Sequence, residues 1–255
     1  MRKDEYPKGA ALVFGGSGGV GRAICARLAA AGCDVALTYR RNVSAADEVV
    51  ASIRAHGGRA EAHAVAAGDA DAMAALVAGI VARFGALHTV VHAAGSDIPM
   101  KFVSQVSRAE WRGVMAADAD GFFDLVHAAL PHLRTSHGSI VAVTSAGLAR
   151  FPSRDVLSVA PKAAIEALVR AVAKEEGRFG VRANCVALGV IEAGIFSRLS
   201  EGELGNDWVQ AAHRNTPLRR FGTADEVADA VHFLSSSRAS YVTGQTLVLD
   251  GGYSI

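Results

Sequence analysis

The chain has 255 residues, of which 51% are apolar, and a formal net charge of +1. This composition excludes an intrinsically disordered chain and gives no electrostatic case for binding nucleic acid. The three cysteines, Cys25, Cys33 and Cys185, are unclustered, which favours a reducing compartment and no metal site. We expect one cytoplasmic domain over 1–255, because residues 1–8 are too charged for a signal peptide and no apolar span could cross a membrane.

The first predicted unit is a strand, a glycine-rich turn and a helix within residues 10–28, AALVFGGSGGVGRAICARL. Glycines permit a tight turn and let backbone N–H groups approach a pyrophosphate, and the helix N-terminus favours its negative charge. The strand before the turn and the helix after it make a dinucleotide-binding loop the favoured interpretation. The candidate cofactor-binding residues of this loop are Gly15, Ser17, Gly18, Gly19, Val20 and Gly21.

The second predicted strand ends in Thr38-Tyr39-Arg40-Arg41. An acidic residue here would bind the ribose hydroxyls of NAD, and none is present. Two arginines suit a 2′-phosphate and therefore favour NADP, with NADPH preferred over NADH. The alternative is a pair of solvated arginines after a strand.

Strands and helices are predicted to alternate along the whole chain. Apolar runs indicate strands at 11–14, 35–39, 60–65, 89–92, 139–144, 182–187 and 246–249. Helical periodicity indicates helices that include 45–55, 72–84, 108–133, 163–177 and 224–235. The alternation predicts a three-layer α/β Rossmann fold: a doubly wound parallel sheet, helices on both faces and a ligand crevice at the carboxyl ends of the strands.

Several motifs together resemble the short-chain dehydrogenase/reductase superfamily over essentially the whole chain. They are the GxxxGxG loop, His92-Ala93-Ala94-Gly95, Trp111, the 139–145 strand, Lys162, PLRRFG at 217–222, Thr243-Gly244-Gln245 and Asp250-Gly251-Gly252. The sequence is most similar to the 3-oxoacyl and enoyl reductases of that superfamily. The resemblance implies a seven-stranded sheet, carbonyl–alcohol interconversion with NAD or NADP, and a homo-oligomer, either a dimer or a tetramer.

The resemblance also implies further cofactor contacts and a substrate lid. The implied contacts are Tyr39, Arg40, Arg41, Ala93, Ala94, Gly95, Lys162, Gly189 and Ile191. The lid is expected at about 192–215, with Phe196, Leu199, Leu204 and Trp208 as its large apolar residues. Departures from the family pattern at Phe14, Ala66, His92, Ala93, Leu188 and Ala193 would loosen the cofactor site without abolishing it.

The catalytic positions depart further from the family. Matching the motifs places the serine at Ser145 and the lysine at Lys162, but Ser158 stands at the tyrosine position and Asp118 at the asparagine position. A serine hydroxyl is a far weaker acid than a phenol, so Ser158 does not inherit the proton-donor role. Enoyl reductases often carry their tyrosine seven residues before the lysine, but that position is Asp155.

Two of these positions also have structural interpretations. Ser158 can be the N-cap of a helix that begins at Val159, which would leave Pro161 in the first turn, where no N–H is needed. Asp118 falls on an apolar helical face, where a carboxylate must be paired or protonated. Three hypotheses follow for Asp118: a pair with Lys162 that holds a proton relay, a proton donor with raised pKa, or a hydrogen bond to backbone or water. His92 ends an apolar strand and is expected to be a hydrogen-bonded structural imidazole.

These residues favour an NADP-dependent oxidoreductase that transfers hydride to or from a carbonyl or an activated double bond, such as that of an acyl thioester. Ser145 is the expected oxyanion donor, and Lys162 is better interpreted as a cofactor ligand. The alternative is a nucleotide-binding pseudoenzyme that acts as a sensor or subunit, since the tyrosine and asparagine are both lost. A hydrolase or lyase has little support, because no serine lies in a nucleophile elbow.

Overall fold

A seven-stranded, all-parallel sheet forms the centre of the molecule in the computed structural model, which describes residues 5–65, 68–193 and 206–255, with the side chains of 206–208 excepted. The strands are β1 Ala10–Phe14, β2 Asp34–Tyr39, β3 Ala60–Ala64, β4 Leu87–His92, β5 Ser139–Ser145, β6 Arg182–Leu188 and β7 Thr246–Leu249. Their order in the sheet is β3-β2-β1-β4-β5-β6-β7. This arrangement confirms the predicted doubly wound α/β fold.

Eight helices of seven or more residues lie in the described ranges. They are α1 Gly19–Ala30, α2 Val43–Ala55, α3 Ala70–Phe84, α4 Arg108–Val114, α5 Gly121–Ser136, α6 Val156–Glu176, α7 Asn206–Asn215 and α8 Ala224–Ser235. None of the helices in the described ranges is long and apolar enough to cross a membrane.

Two apolar cores lie on opposite faces of the sheet. One packs α3, α5 and α6 against the strands, and the other packs α1, α2 and α8. Because both faces are covered, a central strand must be apolar at successive positions, and all five residues of β1 are buried. This coverage explains why the strands read as continuous apolar runs in the sequence.

The helix predicted over 108–133 is interrupted in its middle. Between α4 and α5, Met115–Asp120 form a π-helical turn that contains the buried Asp118. Such a turn holds more residues than an α-helical turn, so the helical faces on its two sides fall out of register. Trp111 before this turn is exposed, whereas Phe122 after it is fully buried.

The start of α6 corrects the N-cap prediction for Ser158. The helix begins at Val156 with Asp155 at the N-cap position, so Ser158 lies inside the first turn. Pro161 is in the second turn, where the carbonyl of Leu157 loses its helical N–H donor. The prediction was wrong because packing of Val156 and Leu157 against Ile98 and other apolar residues extends the helix toward its N-terminus.

The topology brings the candidate residues to one edge of the sheet. The strand order reverses between β1 and β4, which are neighbours in the sheet although β2 and β3 follow β1 in the chain. Parallel strands all end at the same edge, and the crevice at such a reversal is the usual ligand site of open α/β sheets.

Candidate active site

The glycine-rich loop after β1 is built for close backbone approach. Gly15 has a φ of 83°, and a Cβ on it would lie 2.8 Å from the Cα of Ala94. A Cβ on Gly21 would lie 2.2 Å from the carbonyl oxygen of Gly15. No side chain caps the first turn of α1, and that turn carries no acidic residue. Its N–H groups can therefore receive an anion such as a pyrophosphate.

Thr38 supports this loop, and the sequence analysis gave it no role. Its Oγ1 accepts a hydrogen bond from the N–H of Gly15 at 3.0 Å, and its side chain is buried. The signal in the sequence was a hydroxyl residue inside the otherwise apolar part of β2. The contact ties the loop after β1 to the end of β2.

Arg40 and Arg41 follow β2 and are both exposed. Neither guanidinium pairs with a carboxylate in the part of the chain that the structure describes. Tyr39 beside them is partly buried. The two free cations therefore lie beside the edge of the sheet on which the glycine loop ends.

The segment after β4 contacts the glycine loop. The N–H of Ala93 donates to the carbonyl of Phe14 at 2.9 Å, while Ala94 abuts Gly15 and Gly95 is exposed. The structure therefore brings the Ala93–Ala94–Gly95 turn and the loop after β1 together, as a shared cofactor site requires.

His92 departs from its prediction as a hydrogen-bonded imidazole. The ring is fully buried, and neither nitrogen has a hydrogen-bond partner in the described part of the chain. It stacks on Phe14 at a centroid distance of 5.6 Å and meets the ring of Phe122 at 5.0 Å. Burial, with a smaller effect from Lys162, lowers the pKa of His92 to about 3, so the ring is neutral. The prediction failed because sequence gives the burial of a strand residue but not its partners.

The end of β6 supplies the last part of the crevice. A Cβ on Gly189 would lie 2.7 Å from the Cα of Asp250, and Ile191 is buried and bridges to Gly222. Leu188 and Ala193 are partly buried. Several residues named from the sequence lie outside the described residues: Ala66, Phe196, Leu199, Leu204 and the side chain of Trp208.

Ser145 ends β5 and presents its hydroxyl at the same edge. Its Oγ accepts a hydrogen bond from the N–H of Gly147 at 3.0 Å, which leaves the O–H proton free to donate. The side chain is partly buried. This is the arrangement that a donor to a substrate oxygen needs.

Lys162 lies between a carboxylate and a hydroxyl. Its Nζ is 3.9 Å from Oδ2 of Asp118 and 3.4 Å from both the Oγ and the carbonyl oxygen of Ser158. The Lys162 side chain is 13% exposed and the Asp118 side chain 5%. The structure therefore brings together three of the four predicted catalytic residues in direct contacts.

Asp118 is held by Ser96, which the sequence analysis did not name. The Ser96 hydroxyl donates to Oδ1 at 2.6 Å, and the Ser96 N–H donates to Oδ2 at 3.4 Å. The π-helical turn presents this carboxylate, and such turns occur frequently at functional sites. A hydroxyl residue directly after the Ala93–Ala94–Gly95 turn was the signal that could have found Ser96.

Asp155 is a second carboxyl near Lys162. It is partly buried at the start of α6, and burial raises its pKa to about 6, an effect that Lys162 partly offsets. In the sequence it was considered only as a position without tyrosine. The signal missed was a carboxylate seven residues before Lys162.

A dinucleotide cofactor fits the residues at this edge. The cradle at Gly15 and Gly21 leaves room that a Cβ would fill, the first turn of α1 is uncapped, and Arg40 and Arg41 follow β2 without a carboxylate partner among the described residues. The glycine cradle and the uncapped turn match a pyrophosphate, and the two arginines match a 2′-phosphate.

Comparisons with known proteins agree with this geometry. A family model described as Enoyl-(Acyl carrier protein) reductase matches residues 15–254. The 3-oxoacyl-[acyl-carrier-protein] reductase FabG of Staphylococcus aureus (strain N315) is 34% identical over 246 residues, 95% of this chain and 96% of that protein.

Solved structures show the same fold over nearly the whole chain. A short-chain type dehydrogenase/reductase from Mycobacterium ulcerans has a TM-score of 0.92 at 28% identity and covers 98% of this chain and 91% of that one. A short chain dehydrogenase from Burkholderia cenocepacia J2315 in complex with NADP has a TM-score of 0.90 at 29% identity, with 99% and 100% covered.

Proposed function

Because the chain belongs to the short-chain dehydrogenase/reductase family and is an oxidoreductase of that family, we propose that it uses NADP(H) to reduce a carbonyl or an activated double bond. The observation that carries this proposal is the meeting of an uncapped glycine loop, two free arginines and the Ser145–Lys162–Asp118 group at one edge of the sheet. The acyl-carrier-protein relatives favour an acyl thioester as the substrate class.

The cofactor preference is supported by charge. Arg40 and Arg41 have no carboxylate partner among the described residues, so a 2′-phosphate would gain two cations that nothing else neutralises. The B. cenocepacia relative with NADP bound is consistent with this assignment for the present chain. The other cofactor contacts that we propose are the glycine loop, Tyr39, the Ala93–Ala94–Gly95 turn, Gly189 and Ile191.

The remaining residues would orient and stabilise the reacting groups. When bound, the reduced nicotinamide supplies a hydride. Ser145 would donate its free O–H to the substrate oxygen on which negative charge develops. Lys162 would hold the nicotinamide ribose, while Asp118 and the Ser158 oxygens fix the direction of its ammonium.

A titration of the purified protein with NADPH and NADH, followed by fluorescence, tests the cofactor assignment. We expect NADPH to bind more tightly, and Arg40→Ala with Arg41→Ala to weaken NADPH binding by about 100-fold or more, since two charge-assisted contacts contribute about 1.5–3 kcal/mol each. NADH binding should change little in the same variant. Equal loss for both nucleotides would contradict a role in phosphate recognition.

Oxidation of NADPH in the presence of a 3-oxoacyl or a 2-enoyl thioester tests the reaction. We expect turnover with at least one of them, and its loss in Ser145→Ala and in Lys162→Ala. If the chain binds NADPH but oxidises it with neither acceptor class, the nucleotide-binding sensor becomes the better interpretation.

We also propose a homo-oligomer in a reducing compartment, the cytoplasm. Exposed apolar side chains on the helices and on the edge strand support the oligomer: Trp111 is 40% exposed, Phe123 53% and Val248 43%. Three free, buried cysteines support the compartment. Light scattering on the purified protein checks the oligomer, and a monomer would contradict it. The single domain with a lid at about 192–215 remains a prediction.

A further inference from the structure

The face of α6 that is turned toward Ser145 carries one more acidic group. Ser158, Val159 and Lys162 follow Asp155 by three, four and seven residues, so they lie toward the same side of the helix. A Cβ placed on Gly147 would lie 2.9 Å from Cγ2 of Val159 and 3.0 Å from Oγ of Ser145. Val159, one helical turn after Asp155, therefore lies close to the Ser145 hydroxyl, and the charge of Lys162 on the same helix acts on Asp155.

Asp155 does not perform the structural role that its position offers. Aspartate at a helix N-cap normally accepts a hydrogen bond from a backbone N–H of the first turn. The Asp155 side chain makes no such bond, and it has no other hydrogen-bond donor within the described ranges of the chain. Its carboxyl group is therefore available to a ligand.

The turn before α6 holds Asp155 in place at the expense of backbone strain. Arg154 has a φ of 69°, which an L-residue with a long side chain rarely adopts. Two contacts with the preceding loop hold this turn. The carbonyl of Arg154 accepts a hydrogen bond from the N–H of Lys101 at 3.1 Å, and the Arg154 guanidinium lies 4.5 Å from the ring centroid of Phe102. Strain of this kind is retained where the surrounding contacts impose it, and it clusters at functional sites.

Charged groups around the start of α6 come from the loop with Lys101, from α4, from the π-helical turn and from α6 itself. Lys101 pairs with Glu110 on α4 at 2.5 Å, and Asp118 on the π-helical turn faces Lys162 at 3.9 Å. Arg108 and Arg112 of α4 line the same small surface cavity as Val156. Among these groups Lys162 is the one that lowers the pKa of Asp155, and burial outweighs it, which leaves the pKa at about 6.

Asp118, Ser158 and His92 are poorly suited to give a proton. Both oxygens of Asp118 already accept from Ser96, and Oδ2 also faces the Lys162 ammonium. The Ser158 hydroxyl is a far weaker acid than a carboxyl. His92 is fully buried, and its lowered pKa keeps it neutral.

We propose that Asp155 is the proton donor of this reductase, a role that rests on the proposed hydride transfer. As a carbonyl carbon gains the hydride, the π-electron pair of the C=O bond moves to the oxygen that Ser145 contacts. That oxygen forms an O–H bond as the O–H bond of the Asp155 carboxyl breaks, directly or through one water. The resulting carboxylate regains a proton from solvent. A carboxyl that is part-protonated near neutral pH can perform this step repeatedly.

The first test compares Asp155→Asn and Asp155→Glu with Asp120→Asn, an exposed aspartate on the neighbouring π-helical turn. We expect Asp155→Asn to lower kcat for NADPH oxidation by about 100-fold or more, the range of general acid catalysis, without weakening NADPH binding. Asp155→Glu should recover part of the rate. In the wild-type protein kcat should fall as pH rises through about 6, and this limb should be missing from Asp155→Asn.

A second measurement does not depend on turnover. Because the folded-state pKa of Asp155 is raised, its contribution to stability is complete below about pH 4 and is lost as pH rises through about 6. Asp155→Asn should therefore melt at a higher temperature than the wild-type protein at pH 8, with a gain that shrinks toward pH 5. A structural N-cap carboxylate would give the opposite sign at pH 8.

The outcomes separate this proposal from the proposed function. If the wild-type protein turns over and Asp155→Asn keeps both its rate and its pH limb, Asp155 is not the donor although the reductase assignment stands. A lower melting temperature of Asp155→Asn than of the wild-type protein at pH 8 would show that the carboxylate stabilises the helix as an N-cap, and it would overturn the proposal. If the wild-type protein binds neither nucleotide, the reductase assignment fails, and the donor role fails with it.

Discussion

The two halves of the crevice are built in different ways. The half at β1, α1 and β2 consists of glycines, uncapped N–H groups and one threonine that ties Gly15 to β2. The half at β4, β5 and α6 consists of side chains that only meet in three dimensions, above all Lys162 with Asp118 and Ser158. The first half depends on positions without a side chain, Gly15 and Gly21, because backbone N–H groups provide its binding surface. The second half depends on each residue.

The halves also differ in how charge is balanced. Arg40 and Arg41 have no carboxylate partner in the described residues. The half at β1, α1 and β2, here called the cofactor half, therefore carries positive charge that an anionic ligand can neutralise. The other half is called the catalytic half. In the catalytic half Lys162 faces Asp118 at 3.9 Å and also acts on Asp155. A ligand phosphate can complete the first arrangement, whereas the second is already balanced and is suited to moving protons. Three sets of variants would break or sharpen this contrast.

The largest effect is expected at Gly21 in the cofactor half. Gly21→Ala would place a Cβ 2.2 Å from the carbonyl oxygen of Gly15, so the loop must move. We expect NADPH binding to weaken by more than about 100-fold and the free energy of unfolding to fall by about 1–3 kcal/mol, the range for overpacking. Isothermal titration and urea unfolding measure the two quantities.

Gly79→Ala on α3 is the matched control. A Cβ there meets nothing within 4 Å, and the position is exposed. Alanine should stabilise that helix by up to about 1 kcal/mol and leave NADPH binding unchanged. Tight NADPH binding by Gly21→Ala would mean that the glycine cradle is not the nucleotide site.

The next effect is expected at Asp118 in the catalytic half. Asp118→Ala would leave the Ser96 hydroxyl and the Lys162 ammonium without their carboxylate, and we expect a loss of about 3 kcal/mol in stability and at least tenfold in kcat. Asp118→Asn keeps an acceptor for Ser96, so most of the stability and turnover should remain. Urea unfolding and kcat between pH 5 and 8 test this expectation.

The pH profile of Asp118→Asn distinguishes positioning from proton donation. If Asp118 only orients Lys162, the fall of kcat through about pH 6 should persist in this variant, since Asp155 is still present. If kcat of Asp118→Asn no longer fell through about pH 6, Asp118 would be the proton donor, which is one of the three hypotheses drawn from the sequence.

The smallest effect is expected at His92, which lies beside both halves. Its pKa is lowered to about 3, so the neutral ring contributes stability that is complete above about pH 6.5 and lost as pH falls toward 3. His92→Leu removes two nitrogens that have no partner among the described residues and should reduce the loss of stability between pH 7 and pH 5 by about 2 kcal/mol. Thermal melts at the two pH values measure it. The exposed His127→Leu is the control, and an equal change there would contradict the buried origin of the effect.

The sequence by itself determined the parallel sheet, the glycine loop and the position of two arginines directly after β2. Each rests on local chemistry: apolar runs form strands that are covered on both faces, glycines mark close backbone approach, and Arg40 and Arg41 directly follow a strand. The predicted strands at 11–14, 139–144 and 246–249 are present with bounds shifted by one residue at most.

Only the tertiary structure decided how the catalytic half is arranged. The π-helical turn that presents Asp118, the hydroxyl of Ser96 beneath it and the early start of α6 depend on contacts between residues far apart in the chain. The same holds for His92, whose nitrogens meet aromatic rings and no hydrogen-bond partner among the described residues. A sequence shows which residues are ionisable, but burial and neighbouring charges set their pKa, and these exist only once the chain is folded.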